Sequence, residues 1–174
     1  MDKFCMSCVC TALKNGYSVY YIDTSCSFSA SRIHELLGKQ CENIESLLSS
    51  IQHKVCSDIF EIFEFLEEII TLLQTKKVTV SSVGYGLLVK LGQKLKYLAV
   101  QYSTTVLITN NVVYTEGSNA VPSLGRAWSH IPHTRIMIEL NQQSNSLERK
   151  IVLIKSSMQA VPQECVYFIQ EGVG

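Results

Sequence analysis

The sequence predicts a single α/β domain in which a mainly parallel sheet, flanked by helices, continues into antiparallel strands at its carboxyl-terminal end. Helical and strand-like segments alternate in the first part of the 174 residues, and a run of strand-like segments follows. The first pattern is typical of parallel sheets and the second of antiparallel hairpins. Because no repeat or low-complexity linker divides the chain, we expect one domain over residues 1–174.

The first elements are marked by apolar patterning and by residues that stop helices. Residues 3–14 form a short apolar pattern that ends at Asn15-Gly16, a good helix stop. Residues 17–23 are nearly all apolar and predict a buried strand. Residues 29–37 predict a helix that Gly38 ends.

The next elements lead into a long helix. Residues 41–51 predict a short helix or turn, and residues 53–57 a short strand. Asp58 and Glu61 then have the spacing of a capping box, in which both side chains bond backbone N–H groups at a helix start. The strong helical periodicity of residues 59–74 continues from that start.

The second half of the chain begins with an ambiguous stretch and becomes rich in strands. "KKVTVSSVGYG", residues 76–86, has a short strand pattern that loses its apolar character. Residues 87–100 predict an amphipathic helix, and "TTVLITNN", residues 104–111, predicts a buried strand. A polar loop marked by Gly and Pro then leads to Trp128. Further strands are expected over residues 134–140, 150–157 and 165–174.

Composition and charge favour a globular protein without a global signature of a nucleic-acid or membrane partner. The apolar fraction is 47%, and 15 basic residues balance 15 acidic ones. The apolar runs are shorter than the roughly 20 residues that cross a bilayer, and the sequence Met-Asp-Lys does not open a signal peptide. We therefore expect the seven cysteines in a reducing compartment, packed as small hydrophobic side chains.

The spacing of the cysteines and histidines does not indicate a metal site. Cys5, Cys8 and Cys10 lie close together, but on a helical pattern without a matching Cys/His pair, so no metal site is predicted. We interpret His130 and His133 as loop or strand-edge residues.

Cys26 is the only strong nucleophile in the loop after the first strand. His34 lies nearby in sequence, but on a helix face of unknown direction, so a cysteine enzyme is a minor alternative.

Motifs along nearly the whole chain occur in one recognisable order. "VYYIDTSCSFSASRI" reads as a strand, an Asp-Thr turn and a helix start, and "VCSDIFEIFEFLEEI" as a strand with a helix capped by Asp. "LLVKLGQKLKYLAVQYSTTVLITNNV" is a long helix before a strand ending in Thr-Asn. "VPSLGRAWSHIPHTRIMIEL" holds a Pro-x-Leu-Gly-x-x-Trp loop and a Thr-Arg strand, and "KIVLIKSS" with "FIQEGVG" closes the order. This order resembles the carboxyl-terminal core of eukaryotic RecA-type recombinases, and Ala-Ser-Arg and Leu-Gly-Arg-x-Trp are closest to the D-type paralogue.

The resemblance implies a RecA-like fold that is incomplete, and it implies departures from the family's ATPase site. The phosphate loop Gly-x-x-x-x-Gly-Lys-[Ser/Thr] does not occur in the sequence, and residues 76–86 hold no acid for the Walker B position. Ser25 stands where the family has its catalytic Glu, and a Ser cannot act as that carboxylate base. The family uses ATP and Mg²⁺, but we expect no cofactor for this chain alone and assign no catalytic residue.

Family positions that contact nucleotide carry over to three polar residues of this chain. Asp23 either takes part in a nucleotide site or caps its own turn with Thr24. Thr109 and Asn110 match a polar position beside the γ-phosphate, with a structural role in the loop backbone as the alternative.

A later loop carries the positions that the resemblance places near a neighbouring subunit. Pro122 and Arg126 lie in the loop that reaches the neighbour's nucleotide in the family's filaments, and Arg126 is the candidate to complete a partner's site. A surface ion pair is the alternative for Arg126. Trp128 is predicted to anchor the loop by packing. The segment around Glu116 has no cation before Arg126, which argues against DNA contact there.

The resemblance leaves several functions open. The first is a homologous-recombination factor in the nucleus, acting as a subunit or scaffold with other recombinase paralogues and reaching DNA through that complex. The second is an ATP-binding, DNA-dependent ATPase, as in full-length relatives. The third is a non-functional or interfering splice product. No membrane role is expected.

Overall fold

The computed structural model describes residues 2–38, 43–73, 86–114, 120–140 and 148–168. The chain divides into two compact units, Met1–Ser81 and Ser82–Gly174.

The first unit combines helices with a parallel pair of strands. Its elements are α1 (Asp2–Lys14), β1 (Val19–Asp23), α2 (Ala30–Leu37), α3 (Ile44–Ser49), β2 (Ile51–Val55) and α4 (Ile59–Leu73). β1 and β2 pair in parallel, with Val19 opposite Ile51 and Asp23 opposite Val55. Because parallel neighbours need a crossover connection, α2 and α3 lie between the two strands in the chain. These elements confirm the predicted order of helices and strands.

Local side-chain bonds explain where two of these helices begin and end. The Ser29 hydroxyl accepts the N–H of Arg32 and caps α2, while Gly38, at φ 74°, ends it. Asp58 Oδ1 accepts the N–H groups of Phe60 and Glu61 at the start of α4. Glu61 accepts the Ser57 N–H at 2.6 Å, so both side chains of the predicted pair bond backbone N–H groups at the helix start, although Glu61 bonds Ser57 and not Asp58.

A hydrophobic core cluster of the first unit is formed by α1 and α2, with β1 packed against it. Its buried members recur every three or four residues along α1 and α2, so that they share one face of each helix: Met6, Val9, Cys10, Leu13, Ile33 and Leu37. Ile33 and Leu13 are almost completely buried, at 0% and 1% exposure. Val19 and Tyr21 of β1 pack against this cluster, so the apolar face of the helices fixes the position of the strand.

The second unit is built around antiparallel strands. Its elements are α5 (Leu87–Gln101), β3 (Val112–Tyr114), β4 (Ala120–Pro122), α6 (Gly125–Ser129), β5 (Arg135–Leu140), β6 (Glu148–Lys155) and β7 (Gln163–Phe168). β3 and β4 form an antiparallel pair, and β5, β6 and β7 form an antiparallel sheet in that order. The predicted helix at residues 87–100 and the closing strands are confirmed.

The prediction of a buried strand at residues 104–111 was wrong. These residues form no strand within the part of the chain that the structure describes. Leu107 is 54% exposed and Ile108 40%. A strand forms only where neighbouring backbone groups complete its hydrogen bonds, and the apolar sequence alone does not supply them. Residues 76–85, with the ambiguous pattern, lie outside the described residues, as do the predicted turn at 141–147 and residues 169–174.

Buried side chains from α5, α6 and β6 form the interior of the second unit. Leu91, Leu98, Trp128 and Val152 are each at most 8% exposed. A Cβ atom on Gly92 of α5 would lie only 2.6 Å from Ile131 Cδ1. Glycine at this position therefore lets the chain after α6 lie directly against the α5 backbone.

Candidate functional site

The Asp23 carboxylate, at the carboxyl end of β1, is enclosed by the turn that follows it. Asp23 is 2% exposed. Its Oδ1 accepts the backbone N–H groups of Ser25 at 3.0 Å and Ser27 at 3.2 Å. Its Oδ2 accepts the Phe28 N–H at 2.9 Å. The carboxylate thus satisfies three main-chain donors of one turn, although Thr24, which the sequence suggested as its capping partner, is not among them.

Two opposing influences set the pKa of Asp23. Burial of the carboxyl raises its pKa. Hydrogen bonds from the N–H groups of Phe28, Ser25 and Ser27, together with one from the His53 side chain, lower the pKa by a larger amount. The resulting pKa is about 2, below the usual 3.8. Asp23 is therefore an anion at neutral pH whose oxygens hold a turn, and a carboxylate of this kind does not exchange protons with a substrate at neutral pH.

His53 of β2 is a neighbour of Asp23 that the sequence did not reveal. Its Nε2 lies 3.5 Å from Asp23 Oδ2. Its ring stacks on Phe28 with centroids 4.2 Å apart and an interplanar angle of 18°. Tyr21 and Asp23 share a face of β1 because side chains alternate along a strand, and the register places His53 opposite Tyr21. The signal was present in that alternation, but it becomes usable only when the register is known.

Ser25 and Cys26 complete the turn without forming a recognisable nucleophile site. The Ser25 hydroxyl contacts Asp23 Oδ1 at 3.3 Å and Ser27 Oγ at 2.9 Å. Cys26 is exposed at a positive φ of 53°. Within the described residues, no hydrogen bond links Cys26 to His34.

Burial raises the pKa of the Cys56 thiol, with a further contribution from Glu61, so this buried thiol is less reactive.

In the second unit, Asn110 bonds a later part of its own chain. Asn110 Oδ1 accepts the Ser123 hydroxyl at 2.7 Å and the Leu124 N–H at 3.3 Å. A main-chain bond joins the same two segments, because the Ser123 N–H donates to Asn111 O at 2.8 Å. Thr109, beside Asn110, is exposed. The structural role considered for Asn110 is thus present in the form of these bonds.

The other carried-over residues lie in the segment that Asn110 contacts. Pro122 is the last residue of β4 and pairs with Val112. Arg126 lies in α6, which begins two residues after Ser123. Trp128 is 5% exposed, as expected of a packing anchor. The second unit therefore brings Asn110, Pro122 and the Arg126 backbone into one region, while Asp23 belongs to the first unit.

Lys155, at the end of β6, is a second contact of this region that the sequence did not reveal. Its Nζ donates to His130 O at 3.0 Å and lies 3.4 Å from Ser129 O. Carbonyls at the end of a helix lack intrahelical partners, and a cation suits them. A lysine at the end of a strand gives no sequence signal of such a contact.

The described residues contain neither a metal-binding cluster nor a membrane-spanning helix. No group of three or more His, Cys, Asp and Glu side chains in that part of the chain is arranged to hold a metal ion. None of the helices there is both long enough and apolar enough to cross a membrane.

Comparison with curated proteins relates the chain to DNA repair proteins. It is 28% identical over 186 residues to DNA repair protein RAD51 homolog 4 of Mus musculus, covering 87% of this chain and 56% of that protein. For the same protein of Bos taurus, identity is 29%, over 91% of this chain and 58% of the relative. DNA repair protein RAD51 homolog 2 of Homo sapiens is 27% identical over 88% of this chain and 53% of its own length. The chain is thus similar, at low identity, to proteins named RAD51 homolog 4 and RAD51 homolog 2.

The chain spans about half the length of the curated relatives that it matches. No protein-family model matches its sequence. Among solved structures it is similar to the RadB recombinase, with a TM-score of 0.68 at 20% identity, over 94% of this chain and 80% of that one. The predicted RecA-like fold is confirmed.

Proposed function

We propose that this chain is a homologous-recombination factor for DNA double-strand-break repair. It acts as a subunit or scaffold in a nuclear hetero-oligomer with other recombinase paralogues, and it contacts DNA through that complex. Two of the relatives are named DNA repair protein RAD51 homolog 4, and the alignments cover 87% and 91% of this chain. That coverage supports placing it in the D-type branch as one truncated RecA-like domain over residues 1–174.

The state of the Asp23 turn is the observation that carries the scaffold role. The carboxylate that ends β1 is committed to the N–H groups of Ser25, Ser27 and Phe28. Ser25, at the position of the family's catalytic Glu, uses its hydroxyl inside the same turn. The turn thus preserves the shape of the recombinase core without presenting a general base, which supports architecture in preference to hydrolysis.

The second unit supplies the part of the proposal that concerns a partner. Pro122 and Arg126 lie in the segment that Asn110 holds, and Arg126 would complete a nucleotide site on the neighbouring subunit. An arginine supplied in trans stabilises the charge that develops during phosphoryl transfer. Asp23, Thr109 and Asn110 are assigned to nucleotide contact by family position alone, and ATP with Mg²⁺ would be bound by the partner.

Co-expression tests the partner role directly. The tagged full chain is produced with each recombinase paralogue of the same organism, and the retained proteins are identified. We expect stable retention of at least one paralogue after washing in high salt. Retention of none would contradict the scaffold role and favour a non-functional or interfering product.

The contribution of Arg126 is measured on the purified complex. Arg126→Ala should lower the ATPase rate of the partner at least about tenfold while the complex stays assembled. Arg32→Ala is the matched control, because Arg32 is already engaged with Glu35 at 2.8 Å on α2. An equal loss in both variants would remove Arg126 from the partner's site.

Nucleotide binding by the chain alone separates the scaffold from an ATPase. We expect no binding of a fluorescent ATP analogue with Mg²⁺ at micromolar concentrations, because the sequence holds no phosphate loop. Saturable binding that unlabelled ATP displaces would favour the ATPase alternative.

A further inference from the structure

Residues 122–130, which we call the α6 segment, are fixed by side chains from outside the segment at both of its ends. At the start, Asn110 Oδ1 contacts Ser123 Oγ at 2.7 Å and the Leu124 N–H at 3.3 Å. At the end, Lys155 Nζ contacts His130 O at 3.0 Å and Ser129 O at 3.4 Å. These bonds join positions 13 to 26 residues apart in the chain.

Packing holds the middle of the α6 segment. Trp128 is 5% exposed, and the Ile131 side chain that follows lies so close to Gly92 that a Cβ there would be within 2.6 Å. A helix as short as α6 (Gly125–Ser129) is marginal on its own. External bonds and packing are therefore what keep this segment in one conformation.

The chemistry of the Asn110 contact identifies which part of the amide is used. The Leu124 N–H can only donate, so the atom that faces it must be the amide oxygen. A contact with a nucleotide phosphate would instead need the Nδ2 donor. Asn110 thus serves the α6 segment as an acceptor.

We infer that Asn110 and Lys155 are positioning residues that preorganise the α6 segment for binding a partner subunit. The inference rests on the proposed function for the identity of that partner, a recombinase paralogue. A segment that is ordered before binding loses less conformational entropy on association, so its anchors raise affinity without touching the partner.

Amide hydrogen exchange of the full chain tests the anchoring by Asn110. Asn110→Leu removes the acceptor at similar volume, and we expect the Leu124 amide to exchange about fivefold to tenfold faster. Asn110→Asp keeps the acceptor oxygen and should restore slow exchange. The Ser123 amide is the internal control, since it donates to the main-chain oxygen of Asn111 in every variant.

The partner arm uses the retained paralogue and measures its Kd. Asn110→Leu and Lys155→Met should each weaken binding about tenfold, and Asn110→Asp and Lys155→Arg should bind as the wild type does. Lys150→Met is the matched lysine control, because Lys150 pairs with exposed Glu164 at 2.8 Å. Loss of affinity in Lys150→Met as well would show general destabilisation and overturn the inference.

The two arms separate failure of the inference from failure of the proposed function. If wild type binds no paralogue but Asn110→Leu accelerates only Leu124, the proposed function fails and the anchoring stands. If Leu124 exchange is unchanged in Asn110→Leu, or if Asn110→Asp weakens partner binding as much as Asn110→Leu, the positioning role is overturned. Weaker partner binding by Asn110→Asp would point to a contact between Asn110 Nδ2 and the partner or its nucleotide.

Discussion

Residues 19–23 and residues 104–111 are both apolar runs that follow a helix and end in polar residues, but only the first run forms a strand. β1 is paired with β2 along its whole length. Residues 104–111 have no strand neighbour in the described part of the chain, and Leu107 is 54% exposed. The contrast teaches that β-branched and apolar residues create a preference for strand, whereas a neighbouring backbone decides whether the strand forms.

The polar residues that end the two runs differ in the same way. The main-chain donors that Asp23 bonds lie no more than five residues away, inside one turn. Asn110 bonds Ser123 and Leu124, which lie 13 and 14 residues further along. The Asp23 carboxylate therefore bonds the main chain of its own turn and contacts His53 of the paired strand, whereas Asn110 bonds a later segment of the chain.

The largest expected effect comes from removing the anchor of the first run. Asp23→Ala leaves three N–H groups of the turn without their acceptor, and the free energy of unfolding should fall by roughly 3 kcal/mol. Urea unfolding measures the change. Asp58→Ala, which loses the acceptor of an exposed helix cap, should cost only about 1 kcal/mol. Equal losses in the two variants would show that burial of Asp23 adds nothing.

Low pH should reduce the free energy of unfolding through the same Asp23 carboxylate. The folded pKa of about 2 lies below the usual 3.8, so its contribution is present above pH 4 and is lost as pH falls towards 2. The contribution is on the order of 2 kcal/mol. Unfolding followed from pH 5 to pH 2 measures it. Asp23→Asn should flatten this part of the profile, and an unchanged slope would assign the acid sensitivity to other groups.

The second unit has a tight contact of its own at Gly92. Gly92→Ala would bring a Cβ within 2.6 Å of Ile131 Cδ1 and 2.7 Å of Ile131 Cγ2, so we expect a loss of roughly 1–2 kcal/mol in thermal unfolding. Gly86→Ala is the control, since nothing lies within 4 Å of its Cβ position. Ile131→Ala in the Gly92→Ala background should relieve the clash. No difference between Gly86→Ala and Gly92→Ala would refute the close approach.

The smallest effect is expected in the unpaired run. Leu107→Lys should change the free energy of unfolding by less than about 0.5 kcal/mol, because the side chain is 54% exposed. Tyr21→Lys, which places a charge against the core of the first unit, should cost several-fold more. Chemical denaturation of both variants makes the comparison. A loss at Leu107 as large as that at Tyr21 would mean that residues 104–111 are paired and buried in solution.

Local patterns predicted the parts of the fold that depend on neighbours in sequence. The Gly38 stop and the Asp58–Glu61 pair both act within four residues, and each is observed. The failure at residues 104–111 has a physical reason, because an apolar run does not reveal whether another strand lies beside it.

The candidate site follows the same rule. The possibility that Asp23 caps its turn was foreseen, since the donors are close in sequence. His53 and Lys155 were missed, because their contacts depend on strand register and on chain reversal. The sequence indicated a structural role in the loop for Asn110, but its partners Ser123 and Leu124 are visible only in the fold.

The short reach of the Asp23 turn has a consequence for the order of folding. Its main-chain bonds span at most five residues, so the turn and the α2 cap beside it close with little loss of chain entropy. The bonds of Asn110 and Lys155 span 13 to 26 residues and require much more of the chain to have collapsed. We expect the turn after Asp23 and the start of α2 to acquire their native structure early during synthesis, and the α6 segment to become ordered among the last.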